Sequence, residues 1–181
     1  YDTGKTIPDS RIFNKELAGG GILDVGLYPI SFSRLIAGVA TGEKFLEPKF
    51  LDAEAKIGET GVDEVAHAKL EFKNGIKAEV STAIREGMKN NAIISGSEGM
   101  IELPDPWMPG RNGGPYHAKI IINKNGDEKI IELKGPEHLF FFEAELASQC
   151  IFKEKIQPPH PAMTWEDTLG NLKALDTWRE I

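Results

Sequence analysis

The sequence predicts an α+β domain built on a largely antiparallel, open-faced β-sheet with helices packed on one face. Three observations carry that expectation. In mid-chain, apolar and polar residues alternate over short runs, as at Ala66, Ala68, Leu70 and Phe72, which is the two-residue period of half-buried strands. Turn-forming pairs such as Asn74-Gly75 and Asn125-Gly126 separate these runs at hairpin distance. Helical periodicity lies towards the two ends of the chain, and hairpin-joined strands flanked by helices argue an antiparallel sheet rather than alternating βαβ units.

The elements follow in order. Residues 1–18 read as a polar, irregular entry segment. Gly19-Gly20-Gly21 interrupts the backbone, and the apolar run from about 22 to 37 predicts a helix. The hairpin around Asn74-Gly75 has an arguable register. A two-residue turn sets Phe72 opposite Lys77 and Leu70 opposite Glu79, which mixes the faces. A three-residue loop, Lys73-Asn74-Gly75, pairs Phe72 with Ile76 and Leu70 with Ala78, with Gly75 in the left-handed bulge position. The three-residue loop is the expected one. A second hairpin joins 92–94 to 100–103 through Ser95-Gly96-Ser97-Glu98-Gly99, and a third joins 119–122 to 129–133. Between them a Pro/Gly-rich loop, 104–115, holds Trp107 and Arg111, candidates for a lid or a subunit contact. Two helices close the chain. The first, about 138–153, spaces Leu139, Phe142, Leu146 and Cys150 along one side, so Cys150 reads as core. The second, about 165–180, carries Trp165, Leu169, Leu172, Leu175 and Trp178, and Thr164 with Asp167 approaches a capping box at its start.

With 181 residues, 40% of them apolar and 27% charged, the chain has the composition of one globular domain with a sizeable core. A net charge of −7 argues against a nucleic-acid partner. The longest apolar stretch, 139–142, is too short for a membrane span. Tyr1-Asp2-Thr3-Gly4-Lys5 has no apolar core of a signal peptide. A lone cysteine, Cys150, cannot pair within the chain, so a reducing, cytoplasmic compartment is expected. Beginning without Met and in mid-pattern, the chain reads as a piece of a longer protein.

Chemistry concentrates between Gly19 and Ile30. On a helix, Asp24, Tyr28 and Ser31 share one face, and nearly everything around them is apolar. A helix of that kind is buried, and a carboxylate on it needs a partner or a perturbed pKa. Pro29 lacks an N–H for the Val25 carbonyl and predicts a loosened backbone beside Tyr28. Two readings stand at this point. Asp24 and Tyr28 line a site, or Asp24 serves the helix dipole, Tyr28 is a satisfied core residue and the glycines are a turn.

This segment resembles the GGGxLxDxGxYP motif that opens the C-terminal domain in the Gfo/Idh/MocA oxidoreductases, in the branch of glucose-fructose oxidoreductase and dihydrodiol dehydrogenase. Ser10-Arg11-Ile12-Phe13, Leu70 to Gly75, the turn from Ile94 to Ile101 and the helix from Trp165 to Asp176 are similar in the same order. The resemblance implies a GAPDH-like C-terminal domain that binds substrate and mediates assembly over residues 1–181. It implies an activity on the CH–OH group of a sugar, a cyclic polyol or a trans-dihydrodiol. Tyr28 would be the catalytic acid/base, where inositol-dehydrogenase relatives carry histidine, and Asp24 would be a catalytic and substrate-site residue. It further implies NAD or NADP bound mainly by an N-terminal Rossmann domain, with a G-x-G-x-x-G loop and a Glu-Lys-Pro lysine that this chain does not contain. Gly19-Gly20-Gly21 does not replace that loop, because no strand precedes it. The partners implied are a small-molecule substrate, the chain's own Rossmann domain and further copies in a homodimer or tetramer through the sheet face. The chain alone is expected to be inactive.

Arg85, at a strand end, and His160, in the loop before the last helix, are further substrate-binding candidates, against the plainer reading of solvated side chains. No metal site is expected, since His67, His117 and His138 lack ligand spacing. Ser97 reads as a turn residue and not a nucleophile. Two rival functions stay open: an NAD-dependent glycosidase or isomerase, which would retain its cofactor tightly, and a non-catalytic assembly or ligand-sensing module.

Overall fold

The alternation that predicts strands closes into two antiparallel sheets where a single one was expected. The computed structural model describes residues 3–7, 9–110 and 114–181. Arg111 lies outside them. Within the described residues the strands are β1 (Lys49–Ile57), β2 (Asp63–Glu71), β3 (Lys77–Ala83), β4 (Asn91–Gly96), β5 (Gly99–Pro104), β6 (His117–Lys124) and β7 (Asp127–Lys134). The helices are α1 (Gly21–Asp24), α2 (Leu27–Thr41), α3 (Leu139–Phe152) and α4 (Trp165–Glu180). The chain forms two compact units, one of Tyr1–Met88 with Pro159–Ile181, the other of Lys89–Pro158.

The first unit holds the sheet β1-β2-β3 with α1, α2 and α4. Its β2–β3 hairpin takes the expected register. Leu70 faces Ala78, Glu71 faces Lys77, and the Phe72 N–H donates to the Ile76 carbonyl at 2.7 Å. Asn74 and Gly75 turn it with φ of 67° and 77°, so the left-handed region takes in Asn74 as well. The alternation then sorts the faces. Ala66, Ala68, Leu70 and Val80 are buried against Ile22, Ile30 and Ala37 from the first helices and against Ala174, Leu175 and Trp178 from α4. Burying each of the larger side chains contributes about 1.5–3 kcal/mol. Lys69, Glu71, Lys77 and Glu79 occupy the other face, in the cross-strand pairs Lys69–Glu79 and Glu71–Lys77.

The expected single helix over 22–37 is two. It breaks at Val25-Gly26 and not at Pro29, and the chain bends there by 45°. A Cβ on Gly26 would lie 2.4 Å from the Ile22 carbonyl oxygen, so only glycine fits the corner. Pro29 falls in the first turn of α2, where its missing N–H has no helical partner to lose. The Val25 carbonyl is not freed, since it accepts the Tyr28 N–H at 3.3 Å. Nor is α2 buried all round. Ile30, Arg34, Ala37 and Gly38 are its buried residues.

At α4 both arms of the capping box are present between Thr164 and Asp167. Its buried face is Asn171, Ala174, Leu175 and Trp178, a stripe at i, i+3, i+4 and i+7. Of the apolar residues read along this helix, Leu175 and Trp178 lie on that stripe, while Trp165, Leu169 and Leu172 are each more than half exposed. The buried side is built around a polar group described below.

In the second unit the sheet runs β4-β5-β6-β7. The β4–β5 turn is Ser97-Glu98, two residues and not five, with Gly96 opposite Gly99. Gly99 has φ of 155°, and a Cβ there would lie 2.1 Å from the Asn123 carbonyl oxygen on β6. Asn125 and Gly126 make the β6–β7 turn with positive φ at both positions, the twist-compatible hairpin geometry. On α3 no residue is fully buried. Leu139, Leu146 and Cys150 are half-buried and Phe142 is exposed, so the expected core stripe is only partly covered. No single helix among the described residues is long and apolar enough to cross a membrane.

Candidate functional site

The glycine triplet works by letting other atoms close in. Gly19 N–H donates to the Asn14 carbonyl and Gly20 N–H to the Ile12 carbonyl, both at 2.9 Å. A Cβ on Gly20, whose φ is 110°, would lie 2.2 Å from Oδ1 of Asp63. Asp63 opens β2 and is 8% exposed. Its Oδ2 accepts the Ile22 N–H at 2.7 Å, one of the first N–H groups of α1 that have no partner within the helix. From β3, Thr82 Oγ1 donates to the Gly21 carbonyl at 3.0 Å. Burial raises the Asp63 pKa above the ordinary carboxylate value, opposed by backbone N–H donors, Ile22 first, and by the charge of Arg179.

Asp24 ends α1. Its side chain is 13% exposed and meets Arg11 Nη1 through Oδ1 at 2.5 Å, while Arg11 itself is 66% exposed. The carboxylate thus finds the partner that its surroundings require. Tyr28 sits in the first turn of α2 with 46% exposure. The chain break separates the two, so Asp24 and Tyr28 are not successive turns of one helix. Ser31 follows Tyr28 on α2 by three residues, on the same side and half-buried.

Arg85 is engaged elsewhere. Its Nη1 donates to Thr6 Oγ1 and lies 3.9 Å from Glu64 Oε1, with Glu64 buried. His160 is half-buried, and its Nδ1 is buried with no hydrogen-bond partner. Near α4, a groove of about 540 Å³ is lined by Phe45, Glu47, Phe50, Leu169 and their neighbours, and includes none of these four candidate residues.

Sequence reasoning missed a buried cation. Arg34 of α2 is 1% exposed. Its Nη2 donates to Glu47 Oε1 at 2.6 Å and its Nε to Oε2 at 3.3 Å, a two-pronged pairing. Its Nη1 donates to Asn171 Oδ1 at 2.6 Å and to the Asp167 carbonyl at 3.0 Å. A Cβ on Gly170 would collide with Nη2. This network selects the buried face of α4. The signal was present, a single arginine in an otherwise uncharged helix. Asp63 and Thr82 carried none, since they reach the glycines only through the sheet.

A dinucleotide's phosphates call for converging N–H groups at a helix start behind a parallel strand. At the glycine triplet the closest approaching atoms are oxygens, from the Asp63 carboxylate and the carbonyls of Arg11, Ile12 and Asn14. Every strand pair among the described residues is antiparallel. The glycine triplet does not fit a nucleotide's phosphates.

Comparison with known proteins gives three further findings. A family model described as the GFO/IDH/MocA C-terminal domain matches residues 1–102. The chain is 27% identical over 172 residues to the trans-1,2-dihydrobenzene-1,2-diol dehydrogenase of Mus musculus, covering 92% of the chain and 47% of that protein. It is 31% identical over 158 residues to the Xenopus tropicalis enzyme of the same name, covering 82% of the chain and 43% of that protein. The chain therefore spans about half the length of the curated relatives it matches. Among solved structures, a 3-ketoreductase from Actinomadura kijaniata in complex with NADP and TDP-benzene superposes with a TM-score of 0.77 at 22% identity, over 99% of this chain and 50% of that one. At that identity the likeness is one of fold.

Proposed function

Since the chain belongs to the GFO/IDH/MocA family as its C-terminal domain, we propose that it forms the substrate side of an NAD(P)-dependent oxidoreductase. The substrate class is a CH–OH compound: a sugar, a cyclic polyol or a trans-dihydrodiol. The observation that carries this reading is the junction of α1 and α2. A nearly buried, ion-paired carboxylate and a half-exposed tyrosine flank a glycine corner there. The Tyr28 hydroxyl gives its proton to the substrate oxygen on reduction and takes it back on oxidation. Arg11 holds Asp24 by Oδ1, and Oδ2 is the acceptor for a neighbouring substrate hydroxyl. The half-buried ring of His160 and the guanidinium of Arg85, whose side chain is 31% exposed, are further contacts for polar groups of the substrate.

NAD or NADP is held mainly by the protein's own Rossmann domain, and the glycine triplet, crowded by oxygens, is not its phosphate site. The charge-alternating outer face of β2 and β3 is the surface for a second copy, with Lys69–Glu79 and Glu71–Lys77 pairs able to meet their two-fold mates. Light scattering on the full-length protein is expected to show a dimer or tetramer that a Lys69→Glu/Lys77→Glu variant loosens. A cytoplasmic location completes the reading, with Cys150 as a reduced thiol.

The direct test is a substrate panel on the full-length protein, with trans-1,2-dihydrobenzene-1,2-diol, inositols and aldopyranoses, followed by nicotinamide absorbance with both cofactors. Oxidation of at least one compound is expected. A folded protein that turns over none of them, nor the corresponding ketones in reverse, contradicts the proposal.

A further inference from the structure

We infer that Asp63 is a positioning residue for substrate recognition, acting through α1 on Asp24. The inference rests on the role proposed above for Asp24 and adds to it a residue from another part of the chain. Helix α1 has four residues, Gly21 to Asp24, too few to hold its own shape, since a helix gains cooperativity only over several turns. Its direction is therefore set by whatever grips its ends. At the far end Arg11 grips Asp24, but Arg11 is mostly exposed and its long side chain constrains little by itself.

The near end is held from the sheet. Asp63 Oδ2 takes the Ile22 N–H, and Thr82 Oγ1 gives its proton to the Gly21 carbonyl. Both residues are buried on adjacent strands, so they share a rigid frame. Gly20 removes the one atom that would keep the carboxylate out, since a Cβ there would overlap Oδ1. With one oxygen on a backbone N–H and the other against glycine, the carboxylate cannot rotate without losing its fit. Asp24 follows only two residues after Ile22, so a shift of the Ile22 N–H is passed on to it almost undiminished. Asparagine at 63 keeps the shape but turns an amide towards either the Ile22 N–H or Gly20, and loosens the grip.

The experiment is a double-mutant cycle on the full-length enzyme, measuring kcat and KM with trans-1,2-dihydrobenzene-1,2-diol or whichever panel compound is oxidised fastest. Asp24→Asn is expected to raise KM about tenfold, by weakening a charge-assisted hydrogen bond. Asp63→Asn is expected to raise KM by about three- to tenfold, with kcat within about twofold. The double variant is expected to have a KM no higher than Asp24→Asn alone, because residues that act as one unit are not additive. Leu70→Ala, a core change, serves as the control that lowers the melting point without moving KM. Should Asp63→Asn fail to fold, Thr82→Val enters the cycle in its place, removing the bond to Gly21 while keeping the volume. If Asp24→Asn raises KM and the variant at 63 or 82 leaves it unchanged, or multiplies it independently, the inference is overturned and the proposed site stands. If Asp24→Asn itself leaves KM unchanged, the proposed role of Asp24 falls, and this inference with it.

Discussion

Helix α2 carries Tyr28 at its start and Arg34 less than two turns later, on different sides, and the fold treats them in opposite ways. Arg34 is 1% exposed and surrounded: two bonds to Glu47, one to Asn171, one to a backbone carbonyl and a cation–π contact with Phe45 at 4.7 Å. A guanidinium with four of its five donors spent inside the fold and almost no exposed surface is out of a ligand's reach. Tyr28 is left 46% exposed beside a break that only glycine can make, four residues from a carboxylate anchored at both ends of a one-turn helix. Both groups are polar in an apolar segment, and composition alone does not distinguish them. What separates them is exposure, 1% for Arg34 against 46% for Tyr28. A group sealed inside the fold serves the fold, and an exposed group on a rigid frame is within reach of a ligand.

Three substitutions put this contrast at risk. The largest effect is expected from Tyr28→Phe in the full-length enzyme. Turnover should fall on the order of 10²–10⁴-fold, the usual worth of a general acid or base. Stability should change by less than about 0.5 kcal/mol, as for an exposed position. Next comes Arg34→Met, followed by chemical denaturation. It leaves the fully buried Asn171 Oδ1 without its donor, and a loss of about 3 kcal/mol is expected from the orphaned acceptor and the imperfect filling together. Turnover at low temperature should survive. A small loss of stability there would mean that the network is ornamental and that the contrast with Tyr28 fails.

The smallest effect concerns Asp63 and pH. Burial raises its folded-state pKa above the ordinary value of 3.8. The folded protein therefore binds a proton at pH values where the unfolded chain has already released it. By linkage, the stability owed to this group rises as pH falls through the folded value and levels off below about 3.8. Denaturation of wild type and Asp63→Asn across that window is expected to show the wild type gaining on the variant as the solution is acidified. A difference that stays flat with pH would mean that the carboxyl is not perturbed.

Much of this was legible in the chain. The hairpin register at Asn74-Gly75 followed from keeping apolar residues on one face, because a one-residue slip exposes an entire strand. The capping box at Thr164 and the motif around Asp24 and Tyr28 are local signals and were readable as such. Pro29 was expected to loosen the helix, but the corner is a local one, set by crowding between Gly26 and the Ile22 carbonyl. What else was missed shares a cause: a decision made at long range. Leu169 and Leu172 are apolar yet exposed, and Arg34, more than 130 residues earlier, holds Asn171 on the buried side. Asp63 was invisible because its partners are backbone atoms 41 positions away. Periodicity reports which face is apolar on average, and it cannot report a single buried charge that overrules the average.

On the proposed reading, one side of α2 serves chemistry and the other serves the fold. The most direct measurement is turnover and melting temperature on four full-length proteins: wild type, Tyr28→Phe, Arg34→Met and the double variant. Turnover is expected to depend on residue 28 alone and melting temperature on residue 34 alone, with the double variant showing both changes and a coupling below about 0.5 kcal/mol. A Tyr28→Phe enzyme with near-normal turnover and a lowered melting point, or an Arg34→Met enzyme slowed as severely as Tyr28→Phe, would contradict it.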